Sequence, residues 1–258
     1  MERARGKIML TIAIIVIIAI ALLIALILWN FPWILRYYSL EVHYQRIIDN
    51  LSVVIISDIH AGSGKEDLVS LERVLKSLKA DVIVIAGDLF EFEHKPADIT
   101  KLKILIKNFL GKISLNQFVK MFYVVSSSSH DPILKKKVIQ FNINGNMIIV
   151  IKGVLKLEIS GVLVYVTHGD YACRDGVIAN LLNKISLRLR RTPWMECKLR
   201  RIIGVKRDEW LIAGHTHIPL IDHGLKVANC GSWKSYWRKG GKSLIIIRNG
   251  KIELKSYA

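Results

Sequence analysis

Cysteine is scarce in this chain. Its 258 residues hold three, Cys173, Cys197 and Cys230, an odd number without a CxxC spacing, which excludes a disulfide framework and a thiolate zinc site. What remains is reduced, partly buried thiols, a usage that fits a reducing compartment. Acidic residues are also few. Asp and Glu number 21 against 38 Lys and Arg, for a formal charge of +17 and a pI near 9.9, and a surface so short of negative charge attracts phosphate, nucleic acid or acidic lipid. No internal repeat occurs, and no low-complexity tract outside one apolar run at the N-terminus. The length then fits one sizeable α/β domain with an appendage.

The appendage is apolar. Ile8 to Trp29 carries no charge and one hydroxyl, Thr11, over about twenty residues, the length a helix needs to cross a bilayer. Trp29, Phe31, Trp33, Tyr37 and Tyr38 end it as an interfacial aromatic belt would, whereas a cleaved signal peptide has a shorter apolar region followed by small residues. Residues 1–33 are therefore read as a short tip, cytoplasmic or external, plus a single-pass transmembrane anchor. Arg3, Arg5 and Lys7 before the span, against Arg36 and Arg46 after it, lean slightly toward a cytoplasmic N-terminus. The basic domain and unpaired cysteines lean the other way, so the side of the membrane that carries the domain stays open.

Residues 34–51 read as a linker and an edge strand, and 52–258 as the domain. Val53 to Ser57, Val82 to Ala86 and Phe122 to Val125 are short, continuous and β-branched or aromatic, as buried strands are. A helix is expected after Asp58-Ile59-His60, started by a Ser63/Glu66 capping box and carrying Leu68, Leu71, Leu75 and Leu78 on one face. A second is expected from Asp98 to Leu110. This alternation predicts parallel strands with right-handed crossovers. Beyond Pro132, Met147 to Ile151, Val154 to Ile159 and Val162 to Thr167 are closely spaced, as in an antiparallel meander.

Residues 171–207 form a basic helical insert. Ile178, Leu181, Leu182, Ile185 and Leu189 make its apolar stripe, with Lys184, Arg188 and Arg191 on another face. Its basic residues read either as a solvated helix face or as a lid over an anionic or lipid substrate. The chain ends in strands at Leu225 to Ala228, Leu244 to Arg248 and Lys251 to Tyr257.

Five clusters of histidine and aspartate each terminate a strand-like run: Asp58-Ile59-His60, Gly87-Asp88, His130-Asp131, His168-Gly169-Asp170 and Gly214-His215-Thr216-His217. Strand ends on one sheet edge bring such residues together. A single histidine reads as structural, but five in these clusters point to divalent ions. The imidazole and carboxylate donors suit manganese, with iron or zinc as alternatives.

Those motifs, in that order over about residues 52 to 232, resemble the calcineurin-like metallophosphoesterases. The resemblance implies an α/β fold, a two-sheet sandwich flanked by helices, here preceded by one N-terminal transmembrane helix. It implies two divalent metal ions, the first held by Asp58, His60 and His217, the second by His168 and His215, with Asp88 bridging. His130 would be the catalytic histidine that is not a ligand. Ser129 stands where the family has an asparagine ligand to the second ion, so that ion is expected to be held through water, by a neighbouring residue, or loosely. Asp131, Asp170, Arg174, Arg188 and Arg191 are candidates for supporting the site or binding substrate. His168 to Asp175 together with the insert is similar to the UDP-2,3-diacylglucosamine hydrolase branch, which implies an amphiphilic, nucleotide-linked diphosphate.

The expected function is a membrane-anchored, binuclear metal-dependent phosphoesterase acting on a phosphodiester or pyrophosphate bond. Its expected partners are a phosphate-containing substrate and membrane lipid. Two alternative readings stand beside it, a catalytically weak membrane-bound protein that binds anionic lipid or nucleic acid and a metal-dependent nuclease. Nucleic acid is not favoured, because Trp194 stands nearly alone in the insert and offers no aromatic platform for bases.

Overall fold

A computed structural model describes residues 2–35, 40–47, 51–114, 120–127, 130–235 and 241–257, with side chains from residue 9 onward. Helix α1 (Glu2–Asn30) leads through a 3-10 turn at Pro32–Leu35 to β1 (Val42–Ile47), β2 (Val53–Ile56), α2 (Leu68–Leu78), β3 (Val82–Ala86), β4 (Pro96–Ala97), α3 (Ile99–Lys112) and β5 (Lys120–Val125). Then come β6 (Ile133–Leu134), β7 (Val138–Ile143), β8 (Asn146–Lys152), β9 (Val154–Ile159), β10 (Val162–Val166), α4 (Gly176–Arg190) and α5 (Trp194–Ile203). The last strands are β11 (Trp210–Ala213), β12 (Leu220–Asp222), β13 (Val227–Asn229), β14 (Ser243–Arg248) and β15 (Lys251–Ser256).

Two sheets stack face to face. One has the order β15-β14-β2-β3-β5-β8-β7 and the other β1-β9-β10-β11-β13-β12. Side chains alternate across a strand, so Val53 and Ile55 of β2 join Phe122, Leu155, Leu157, Val164 and Ile212 between the sheets. Val54 and Ile56 face the other way, onto Leu71 and Leu75 of α2 and Leu102, Ile106 and Phe109 of α3. Helices α4 and α5 cover the second sheet, placing Ala179, Met195 and Leu199 on Tyr165, Leu211 and Ala213. The result is a helix, sheet, sheet, helix sandwich, the expected fold class.

The parallel first half is as expected: β2, β3 and β5 pair in parallel. Asp98 caps α3 by accepting from the Lys101 N–H at 2.8 Å. The expected capping box is not a cap. Helix α2 starts later, with Asp67 accepting from the Ser70 N–H at 2.9 Å, and Glu66 instead closes a turn by accepting from the Gly62 N–H and the Ser63 hydroxyl, both at 2.8 Å.

The expected meander is also corrected. Strand β8 belongs to the first sheet, parallel to β5 and antiparallel to β7, whereas β9 and β10 form an antiparallel pair in the second. The chain changes sheets at Gly153, whose φ is +110° and where an added Cβ would lie 2.7 Å from the Glu41 carbonyl oxygen. Beyond β10 the second sheet is not a meander either, because β10, β11 and β13 run parallel. Strand β1 is the expected edge, parallel to β9.

Helix α1 contains a 22-residue apolar stretch, Met9–Asn30, whose most apolar 18-residue window has mean hydropathy 3.4 and no buried residue, while Asn30 at its end is buried. At 1.5 Å per residue this is roughly 33 Å long, enough for a hydrocarbon layer of about 30 Å.

The crossing at Gly153 is testable. Gly153→Ala should lower thermal stability by about 1–3 kcal/mol through the positive φ and the clash with Glu41. Gly111→Ala, in the last turn of α3 with nothing within 4 Å of the added Cβ, should raise it by about 0.5 kcal/mol. Equal effects in thermal unfolding would show that Gly153 is no special joint.

Candidate metal centre

The sheet edges deliver the clusters to one place. Asp58 and His60 follow β2, Asp88 follows β3, His168 follows β10, and His215 and His217 follow β11. Asp58, His60, Asp88, His215 and His217 all adopt positive φ, between 49° and 72°, a conformation that L residues hold only when the surroundings fix it. Gly87 and Gly214 supply the close approaches. A Cβ on Gly87 would lie 2.5 Å from the His168 ring, and one on Gly214 would lie 2.4 Å from Asp58 Oδ2.

Hydrogen bonds aim the donors. Ser57 Oγ and the His215 N–H donate to Asp58 Oδ2 at 2.6 and 2.9 Å, while Asp58 Oδ1 lies 2.9 Å from His217 Nε2 and 4.0 Å from His60 Nε2. Asp88 Oδ2 stands 3.8 Å from His60 Nε2 and 3.2 Å from His168 Nε2. Asp58, His60 and His217 offer donors within 4.8 Å of one another, and so do Asp58, Asp88 and His168.

The ring tautomers fit a cation. His168 Nδ1 is 3.0 Å from the Ala86 carbonyl and His215 Nε2 is 2.6 Å from the Cys173 carbonyl, so each ring places a hydrogen there. The other two nitrogens, His168 Nε2 and His215 Nδ1, then face each other at 3.1 Å with bare lone pairs in the neutral rings. His168 Nε2 also lies 3.2 Å from Asp88 Oδ2, so both nitrogens open onto the carboxylates of the cluster. Burial opposes charge on His168, but Asp88 and Asp58 outweigh it and hold its pKa well above the ordinary value. Burial likewise favours neutral carboxyls, yet His217 and His168 keep Asp58 at about 2, and His168 and His60 keep Asp88 well below the usual range. Burial holds His60 near 4. Buried carboxylates, neutral imidazoles and no thiolate form a donor set for divalent ions.

His130 is half-buried. Its Nδ1 lies 2.9 Å from the Glu91 carbonyl, which places the hydrogen of the neutral ring there and leaves Nε2 for chemistry. Asp131 organises two loops by accepting from the Asp88 and Ser126 N–H groups at 2.8 Å and from Phe90 at 3.3 Å. Burial and then Asp88 push its pKa up to about 6. Asp170 accepts from the Ser127 N–H and hydroxyl at 2.6 and 2.8 Å. Ser129 lies outside the described residues. Of the arginines, Arg174 stacks on Trp29 at 4.7 Å. Arg188 and Arg191 are exposed at the far end of α4, roughly 18 Å or more along its axis from Gly176, which abuts His215. The structure does not bring them to the cluster.

Two supporting groups escaped the sequence reading. Glu91 lies 2.7 Å from His60 Nδ1 and takes both carboxylate oxygens to Lys234 Nζ at 2.8 Å. This fixes the His60 tautomer with Nε2 bare. Asn229, at the end of β13, donates to the Gly214 carbonyl at 2.6 Å and to buried Glu196 at 2.9 Å, bracing the loop that carries His215 and His217. The signal for Glu91 was its place three residues after Asp88, and for Asn229 a polar residue at a strand end.

A family model described as the calcineurin-like phosphoesterase superfamily domain matches residues 51–249. No curated protein matches the chain. Among solved structures, an archaeal phosphodiesterase is 12% identical, over 80% of this chain and 100% of its own, with a TM-score of 0.39. The phosphoesterase Yfce from E. coli is 14% identical over 77% and 89%, with a TM-score of 0.38. The anchor protein of the inner membrane complex of Plasmodium is 12% identical over 81% and 84%, with a TM-score of 0.42.

Loss of Glu91 should act through His60. Glu91→Ala is expected to weaken manganese affinity about 10- to 100-fold in titration calorimetry with little change in fold. Unchanged affinity would remove Glu91 from the site. Gly87→Ala should displace the His168 ring and lower metal content while leaving secondary structure intact by circular dichroism.

Proposed function

The chain belongs to the calcineurin-like phosphoesterase superfamily, a family of metal-dependent phosphoester hydrolases, and from that premise we propose a membrane-anchored enzyme that cleaves a phosphodiester or pyrophosphate bond in an amphiphilic or nucleotide-linked substrate. One observation carries the binuclear reading. A single oxygen, Asp88 Oδ2, lies between His60 Nε2 and His168 Nε2, as a carboxylate shared by two ions would.

Asp58, His60 and His217 would hold the first ion, His168 and His215 the second, and Asp88 both. Manganese suits these oxygen and imidazole donors, with iron or zinc as alternatives. When bound, such ions polarise a phosphoryl oxygen and lower the pKa of an attacking water. His130 is the residue assigned to the leaving oxygen: its Nδ1–H is committed to the Glu91 carbonyl, so Nε2 is the nitrogen that would take up a proton, forming the imidazolium, and pass it to the leaving oxygen. Asp131 and Asp170 hold the flanks of the loop that bears it.

Residues 52–258 are taken as the enzyme domain and 1–33 as its anchor. The link between them supports an amphiphilic substrate. The Cys173 carbonyl bonds to His215, and the next residue, Arg174, donates its N–H to the Asn30 carbonyl at 2.9 Å. A candidate ligand, His215, is thus linked to the end of the apolar helix through two consecutive residues, Cys173 and Arg174.

The test uses the full chain in detergent with manganese, on phosphomonoesters, phosphodiesters and nucleotide-linked diphosphates. Diesters or diphosphates should turn over and monoesters should not, and unchanged hydrolysis after complete chelation would overturn the metal mechanism. Asp88→Asn should reduce turnover by roughly a thousandfold or more. His130→Ala should reduce it by about 10²- to 10⁴-fold at unchanged metal content. Metal loss in the second variant would make His130 a ligand instead.

A further inference from the structure

Helix α4 has an apolar face turned away from the protein. Of the expected apolar stripe, Ile178 and Leu182 pack against the core beside buried Ala179, but Leu181, Ile185 and Leu189 do not. Together with Val177 they form one i, i+4, i+8, i+12 row, exposed by 72% at Val177, 57% at Leu181, 45% at Ile185 and 76% at Leu189. A row of four large aliphatic side chains in water, continuous over the helix, marks an interaction surface. The adjacent row carries Lys184 and Arg188, and Arg190 and Arg191 follow at the C-terminus, all exposed.

The start of α4 is fixed to the end of the apolar helix. Arg174, two residues before Gly176, stacks its guanidinium 4.7 Å over the Trp29 ring, and its N–H bonds to the Asn30 carbonyl. Trp33 donates its indole N–H to the Ala172 carbonyl at 2.8 Å, Lys198 lies 3.2 Å over the Trp33 ring, and Phe31 meets Trp194 edge to face at 6.5 Å. Trp29 and Trp33 are the residues expected at the boundary between hydrocarbon and headgroups, so α4 begins at that boundary.

We infer that α4 is an interfacial helix, with Val177, Leu181, Ile185 and Leu189 immersed in the bilayer surface and the neighbouring lysine and arginines among anionic headgroups. The inference rests on the membrane-anchor reading of α1. Three features select lipid as the occupant: the boundary residues of α1 hold the helix at the interface, its exposed face is aliphatic, and the charges beside that face are basic. The seat would also place His215, which Gly176 abuts, close to the membrane plane.

The test is a depth measurement on the full chain in phosphatidylcholine and phosphatidylglycerol vesicles. Nitroxides are attached at Leu181→Cys, Ile185→Cys and Leu189→Cys, with Lys184→Cys and Ile18→Cys as references, in a Cys197→Ser background because Cys173 and Cys230 are buried. At positions 181, 185 and 189 the ratio of oxygen to nickel-chelate collisions should exceed that at 184 several-fold and approach that at 18. Nickel access at all three equal to that at 184, with 18 in hydrocarbon, overturns the interfacial helix and leaves the anchor standing. Shielding of the three from both reagents also overturns it, in favour of a second copy of the chain on this face. Nickel access at 18 overturns the anchor, and the interfacial helix with it.

Discussion

The structure turns on two carboxylates, Asp58 and Asp88, buried at neighbouring strand ends where water cannot solvate them. A buried charge must find a partner or neutralise, and here the partners are imidazoles delivered by other strand ends. To aim those groups, five candidate ligand residues hold left-handed backbone, at about 1–3 kcal/mol each. That total is comparable with the whole net stability of a domain, about 5–15 kcal/mol. Only a well-packed frame can hold it, and β2, β3 and β11 are buried throughout on both faces. The ordinary part of the fold, two apolar sheets with helices outside, is what stabilises the strained part.

Helix α5 ties the second sheet to the same requirement. Glu196 is buried, and burial raises its pKa. It accepts from Asn183 of α4 at 2.9 Å, from Asn229 at 2.9 Å and from Thr216 at 3.3 Å. Thr216 lies between His215 and His217, and Asn180 of α4 donates to its carbonyl at 2.6 Å. The insert is therefore wired to the His215–His217 loop by side chains, while its first residues are wired to the apolar helix. Movement of one end relative to the other would be felt at the centre.

Much of this was legible in the sequence because the signals were local. Continuous β-branched runs ended in histidine or aspartate, and the strands form there with the ligands at their ends. The family order of the motifs then implied the grouping of Asp58 with His60 and His217, whose donors do lie together. What escaped depends on long-range packing. Gly153 looks like any glycine until the Glu41 carbonyl is seen against it, so β8 was placed with β9 instead of in the other sheet. Glu91 is one acidic residue among several near Asp88, and only the approach of Lys234 and His60 distinguishes it. Helical periodicity put Leu181, Ile185 and Leu189 in one stripe with Ile178 and Leu182, but periodicity does not say which part of a wide stripe the core takes.

The charge distribution favours cations at the centre. The chain as a whole carries +17, yet its buried centre holds Asp58 and Asp88, with Asp131 and Asp170 buried beside them. Lys234, the cation buried nearby, is committed to Glu91. Such a centre would repel a phosphate group, whatever the basic surface did to attract it from a distance. Divalent cations held there would reverse the sign locally by neutralising the carboxylates. The basic exterior and the acidic interior would then act in series, the first drawing anions toward the protein and the second, once loaded with cations, accepting them.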